Sequence, residues 1–232
     1  MDGEYRSLLA KFNLFLENPG LYLIAFTHRS YLNETKGKIE SNERMEFLGD
    51  AVLSVIISSF LFKTRPEDKE GDLTHLRSYM VKTDSLAKTS QVLGLGKYLR
   101  MSKGEELTGG RENPQLLANT YEALLGAIFL DLGIDAATKF VRATLLPLFQ
   151  KEVEKGAPRD PKSQLQEVVQ AKKQMSPKYK ILSASGPDHA KKFVVGVFLN
   201  NEKLGEGNGA NKQQAEEEAA KQALTNFLKN TP

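Results

Sequence analysis

Three acidic residues, Glu43, Glu46 and Asp50, fall at offsets of three and four in a stretch otherwise crowded with Met45, Phe47, Leu48, Ala51, Val52, Leu53, Val55, Ile56 and Ile57. On a helix this spacing stacks the carboxylates along one face, a turn apart, where like charges repel. A second apolar stretch, Leu116 to Leu130, is interrupted on one side by Asn119 and Glu122, again three apart. Carboxylates among apolar neighbours lose hydration and raise one another's proton affinity unless a cation stands between them. A basic side chain such as Arg44 would answer that need, and Glu43 is in any case favoured near a helix N-terminus. A bound metal ion would answer it too. With oxygen donors and no cysteine in the chain, the fitting ion is hard and divalent, Mg²⁺ or Mn²⁺ rather than zinc. Gly49 and Gly126 lie beside the two clusters. A mid-helix glycine costs about 1 kcal/mol relative to alanine, so each is expected to permit close helix approach.

The elements that must carry these residues are legible as apolar periodicity. Glu43 to Phe62, Leu73 to Leu93, Gln115 to Leu132 and Ala136 to Val153 repeat at helical spacing, which predicts an all-α first domain. The segment Lys151 to Pro161, charged and containing Gly156, Pro158 and Pro161, reads as a linker. Beyond it Ser163 to Lys173 is helical, Tyr179 to Ala184 and Phe193 to Leu199 alternate as strands, Glu202 to Gly205 adds a third, and Lys212 to Leu228 is helical. That is a small α+β domain of order α-β-β-β-α. The chain therefore divides into a domain over 1–152, a linker over 153–160 and a second domain over 161–230. Gly205, Gly207 and Gly209 read as turn glycines ahead of the last helix; the domain is too small for a dinucleotide-binding βαβ unit.

With 40% hydrophobic and 26% charged residues over 232 positions, the composition is that of a globular protein with a real core. The lack of cysteine excludes disulfides, zinc-thiolate sites, iron-sulfur clusters and thiol nucleophiles. Met1 to Ala10 carries acidic residues where a signal peptide needs basic ones, and no apolar run approaches the length needed to cross a bilayer, so a cytoplasmic protein without a membrane partner is expected. The net charge of +3 is uneven: from Asp160 to Pro232 eleven Lys face eight acidic residues, while the rest of the chain is balanced. The excess leans toward a polyanionic partner.

Several runs together resemble the ribonuclease III family: NERMEFLGDAVL at Asn42 to Leu53, AFTHRSYLNE at Ala25 to Glu34, GDLTHLRSYMV at Gly71 to Val81 and LANTYEALLGAIFLD at Leu117 to Asp131. The tail resembles a double-stranded-RNA-binding domain through DPKSQLQE at Asp160 to Glu167, GPDHAKKF at Gly186 to Phe193 and LGEGNGANKQQAEEEAAKQAL at Leu204 to Leu224. The resemblance implies a homodimeric endonuclease in which Mg²⁺, or Mn²⁺ in its place, is held by Glu46, Asp50, Asn119 and Glu122, with Glu43 a further acid near the cleavage site. It also implies in-line attack of activated water on double-stranded RNA. The expected products have 5′-phosphate and 3′-hydroxyl ends with short 3′ overhangs, and the expected roles are in ribosomal and messenger RNA processing. Phe47, Leu48 and Phe60 fit either a dimer interface or an ordinary core.

The chain departs from the family pattern at Asn119, where Asp is usual. An amide oxygen still binds a hard cation but carries no charge, so weaker metal affinity is expected. The rival reading is a protein that grips duplex RNA but cleaves it poorly or not at all. In the tail, Ser163, Gln166 and Glu167 share a polar helix face suited to 2′-hydroxyls, His189 lies on a turn suited to a neighbouring minor groove, and Lys212 opens the last helix where phosphate is favoured. Gln213 stands where the family usually has a second lysine, which predicts a weaker phosphate contact. His28 and His75 read as structural, His28 as a capping or packing residue.

Overall fold

The computed structural model describes residues 2–35, 39–158, 160–186 and 191–229. The chain forms two compact units, Met1–Ala157 and Pro158–Pro232.

In the first unit the apolar runs close as helices with identifiable ends. Helix α1 spans Asp2–Ala10, α2 Pro19–Ala25, α3 Glu43–Thr64, α4 Glu70–Val81, α5 Thr83–Leu93, α6 Lys103–Leu107, α7 Pro114–Thr144 and α8 Gln150–Lys155. Helix α7 starts sharply because the Asn113 side chain accepts from the backbone N–H groups of Gln115 and Leu116 and Pro114 follows at the first helical position. It kinks at Gly133, whose φ of 83° only glycine adopts cheaply, so the runs Gln115 to Leu132 and Ala136 onward are two helical pieces meeting at one residue. Tyr121 and Phe140 pack across that kink with ring centres 5.6 Å apart, and the Tyr121 hydroxyl pairs with Thr144 Oγ1 at 2.8 Å.

Two of the runs at helical spacing are broken. Leu73 to Leu93 divides at Lys82, which is extended, and α5 begins at Thr83. The following Thr83, Asp84 and Ser85 have side chains that compete with helical bonding, and Ser85 Oγ donates to the Tyr79 carbonyl at 2.7 Å, satisfying an end that α4 leaves open. Ala136 to Val153 is interrupted by a 3₁₀ turn over Leu146–Phe149 containing Pro147, which cannot donate a helical bond. Helix α8 then occupies the first half of the segment read as linker. Arg65, just past α3, clamps it: the guanidinium donates to the carbonyls of Val153 and Glu154 at 2.6 and 3.0 Å while pairing with Asp68.

The core centres on α3 and α7. Leu53, Ile57 and Leu61 of α3 and Leu124, Leu125 and Ile128 of α7 are fully or almost fully buried. The 22-residue α3 contains an 18-residue window of mean hydropathy 1.7 and is long and apolar enough to cross a bilayer, contrary to the expectation that no apolar run reaches that length. Here it packs as the central helix of a bundle, and its outward side leaves Phe47, Val55 and Phe62 exposed. Near its kink α7 is also fastened to the N-terminal segment. Asp131 accepts from the backbone N–H groups of Glu17 and Asn18 at 2.9 and 2.8 Å and from the Tyr22 hydroxyl at 2.8 Å. Burial, then that bond and charge, push the Tyr22 hydroxyl well above the ordinary phenol range. Replacing Asp131 by Ala strands the Tyr22 hydroxyl and leaves the exposed Glu17 and Asn18 N–H groups to water, and a urea unfolding curve is expected to show a loss of about 1–2 kcal/mol.

In the second unit, helix α9 (Pro161–Lys173) precedes strands β1 (Lys178–Ser185), β2 (Lys192–Leu199) and β3 (Glu202–Gly209), and helix α10 (Lys212–Lys229) closes it. The sheet is antiparallel in the order β1-β2-β3. Val197 and Leu199 of β2 meet Leu165, Val169, Ala219, Ala220 and Ala223 of the two helices. Strand β3 runs to Gly209, beyond the predicted end at Gly205, and its glycines are not turn residues. A methyl at Gly205 would lie 2.6 Å from the Ala219 carbonyl oxygen, at Gly207 2.2 Å from Ala219 N, and at Gly209 2.5 Å from Ala215 N. The strand presents bare backbone so that the alanine face of α10 lies directly on it.

Candidate functional site

The close crossing of α3 and α7 creates the site. A methyl at Gly49 would fall 1.8 Å from the carbonyl oxygen of Glu122, and one at Gly126 would fall 2.4 Å from that of Met45. Both distances are far inside van der Waals contact, so the helix backbones touch at these two points only because no side chain intervenes. Glu46 and Asp50 flank one contact on α3, and Glu122 forms the other side of it on α7. The predicted set Glu46, Asp50, Asn119 and Glu122 thus lines one cleft of about 640 Å³, with Glu43 at its edge. Glu46, Asn119 and Glu122 are half-buried, while Asp50 and Glu43 are exposed.

The electrostatics are those of a site short of positive charge. Burial, then the charges of Asp50 and Glu46, push the Glu122 carboxyl up to about 8. Burial, then Glu43, also raise Glu46; the Asn119 amide, bonding to it, pulls the other way, and Asp50 adds a further upward push. Arg44 does not neutralise the cluster: it pairs with Glu40 at 3.7 Å and is 88% exposed. Arg29 pairs with Glu43 at 3.6 Å at the rim. Among the described residues no lysine or arginine pairs with Glu46, Asp50 or Glu122. Nor, among those residues, are three or more Asp, Glu, His or Cys side chains drawn together tightly enough to enclose an ion by themselves. Unscreened carboxylates repel, and an all-oxygen set that includes the Asn119 amide suits a hard divalent cation in kind.

Gln115, Arg29 and His28 are among the cleft residues not assigned to the site from sequence. Gln115 Nε2 donates to Asn119 Oδ1 at 2.7 Å, one turn earlier on α7; the four-residue spacing was the available signal. Arg29 and His28 reach the cleft from a loop held by backbone pairing of Thr27 with Arg100, a contact that no local pattern announces. His28 does cap the 3₁₀ turn Arg29–Glu34, its Nδ1 accepting from Ser30 N at 3.4 Å. Burial holds its ring below the ordinary histidine range.

In the second unit Ser163, Gln166 and Glu167 are exposed on α9. Asp160 caps that helix, accepting from Ser163 N at 3.0 Å and Ser163 Oγ at 2.9 Å. Lys212 is exposed at the first position of α10, and Asn211 ahead of it accepts from Gln214 N at 2.9 Å. His189 lies outside the described residues.

Comparison with known proteins agrees with this division. Residues 18–148 match the Ribonuclease-III-like family and residues 161–226 the double-stranded RNA binding motif. The chain is 45% identical over 225 residues to Ribonuclease 3 of Geobacillus sp. (strain WCH70), covering 95% of this chain and 90% of that one. It is 42% identical over 208 residues to Ribonuclease 3 of Clostridium perfringens, covering 90% and 87%. The nuclease domain of ribonuclease III from Campylobacter jejuni, described for structural flexibility in a region involved in dimer formation, superposes with a TM-score of 0.57 at 36% identity over 62% of this chain and 96% of that one. A helical unit with an acid-lined cleft, followed by an RNA-binding unit, places the chain in the ribonuclease III family, as an endoribonuclease acting on double-stranded RNA.

Proposed function

We propose that the enzyme hydrolyses duplex RNA with Mg²⁺, for which Mn²⁺ can substitute, held by Glu46, Asp50, Asn119 and Glu122. The observation that carries this reading is the convergence of those four side chains on one cleft in which Glu122 is pushed up to about 8 by burial and its acidic neighbours. A divalent cation bound there supplies Lewis-acid stabilisation of the phosphate and activation of water. The protein's share is placement. The Gly49 and Gly126 contacts fix the two carboxylate-bearing backbones, and Arg29 at the rim offers a charge to the RNA backbone. Products with 5′-phosphate and 3′-hydroxyl ends and short 3′ overhangs follow from the family reading, as does work on ribosomal and messenger RNA in the cytoplasm. A homodimer is supported by the exposed Phe47, Val55 and Phe62 on the outward side of α3, at 80, 59 and 74% exposure. Of the three residues read from sequence as fitting either an interface or a core, Phe47 is exposed while Leu48 and Phe60 pack partly against the core.

The Asn119 amide sits between Gln115 and Glu46 in a hydrogen-bonded row, which eases the repulsion an Asp would add there. Its cost is one negative charge. Asn119→Asp is therefore expected to lower the Mg²⁺ concentration giving half-maximal cleavage of a duplex RNA by roughly tenfold, about 1.4 kcal/mol of metal affinity. Binding of duplex RNA without cleavage at any Mg²⁺ or Mn²⁺ level, restored by Asn119→Asp, would make the chain a duplex-RNA-binding protein with impaired catalysis. No gain in the variant would refute this account of Asn119.

A further inference from the structure

The RNA-binding unit contains an ion pair that the nuclease reading leaves unused. Lys162, in the first turn of α9, donates from Nζ to Glu216 of α10 at 2.5 Å, and the two side chains are only 34 and 28% exposed. The same ammonium lies 5.0 Å from the ring centre of Tyr179 on β1. Three elements thus meet at one positive charge. Asp160 could compete for it but is already engaged in capping α9 through Ser163. Among the described residues the buried Tyr179 hydroxyl has no hydrogen-bond partner, so this ring acts as an apolar floor under the pair rather than as a link in a network.

Glu216 stands four residues after Lys212 on the same helix. Side chains at that spacing are neighbours, and the next such pair on α10 is already joined, Gln213 Nε2 donating to Glu217 at 3.0 Å. A partly buried carboxylate deprived of its cation recruits another within reach, and Lys212 is the candidate on its own helix face. Resting on the reading of Lys212 as a phosphate contact, we infer that Lys162 is a positioning residue for RNA binding. By neutralising Glu216 it leaves the Lys212 ammonium free to meet a phosphate. It also ties the first turn of α9, which carries Ser163, to the first turns of α10.

The test uses the full chain in EDTA, where cleavage is suppressed, with an RNA duplex of roughly 20 base pairs and affinity measured across a KCl series. Lys162→Met is expected to weaken binding about fivefold and to make the slope of log K against log salt shallower by about 0.7 to 0.9, the loss of one phosphate contact. Lys162→Met with Glu216→Gln, which has neither charge, is expected to return both affinity and slope to those of the parent chain. A merely structural role for Lys162 lowers affinity by the same factor at every salt concentration and leaves the slope unchanged, which overturns the inference. So does a double variant that keeps the shallow slope. Lys212→Ala separates the two layers: if it weakens binding while Lys162→Met does not, this inference fails and the phosphate reading stands, and if Lys212→Ala changes nothing, both fail.

Discussion

Glu122→Gln is expected to abolish cleavage of duplex RNA, by at least about 1,000-fold or about 4 kcal/mol of transition-state stabilisation, while making the metal-free chain more resistant to heat in alkaline buffer. The second half follows from the same cause as the first. Burial and two neighbouring carboxylates push Glu122 up to about 8, from an ordinary value of 4.5. Between those values the folded chain holds a proton that the unfolded chain has released. Stability contributed by this group is complete below about 4.5, declines as pH rises, and is lost once pH passes about 8. Glutamine has no proton to lose and avoids the decline. Allowing for the part of the side chain that solvent reaches, the difference should be about 1–3 kcal/mol at pH 9 and near zero at pH 4. Thermal unfolding of both proteins in EDTA at several pH values measures it; parallel melting curves across the range would contradict the placement of Glu122 beside Asp50 and Glu46. Added Mg²⁺ should narrow the gap by stabilising the parent chain and not the variant.

The other large effect concerns the backbone contact beneath that cluster. Gly49→Ala places a methyl where the Glu122 carbonyl oxygen already stands, 1.8 Å away, and neither helix backbone can yield without parting from the other. Chemical denaturation is expected to show a loss of about 3 kcal/mol or more, at the upper end for overpacking. Activity should fall further than stability explains, because the same displacement separates Asp50 from Glu122. Gly126→Ala should behave alike, its methyl meeting the Met45 carbonyl oxygen at 2.4 Å. Gly71, in α4 with open space around it, is the control: alanine there should be neutral or slightly stabilising. Equal behaviour of Gly49→Ala and Gly71→Ala would show that the helices do not touch as described.

What the sequence made legible, and what it hid, divides along a physical line. Glu46, Asp50, Asn119 and Glu122 stood out because polar residues at helical spacing on nearly all-apolar helices are costly, and the cost is visible without a partner in view. The two glycines beside them were readable for the same reason. The break at Lys82 was hidden because Leu73 to Leu93 keeps its apolar period across it, while the interruption is made by three short polar side chains. Arg29 entered the cleft unseen, since it arrives through pairing between Thr27 and Arg100, far apart in sequence. Strand β3 was underestimated because its inward positions are glycine. The apolar half of that contact belongs to α10, and alternation within the strand alone does not display it.

That sheet-to-helix contact works as a vernier. Two strand residues advance about 6.7 Å and four helix residues about 6.0 Å, so Gly205, Gly207 and Gly209 stay in step with Ala223, Ala219 and Ala215 for three notches while slipping less than a carbon's width at each. Inserting one residue among the glycines would turn a side chain into the helix backbone, and inserting one among the alanines would swing the row aside by about 100°. Between Gly205 and Ala223 the two repeats therefore lock each other's count.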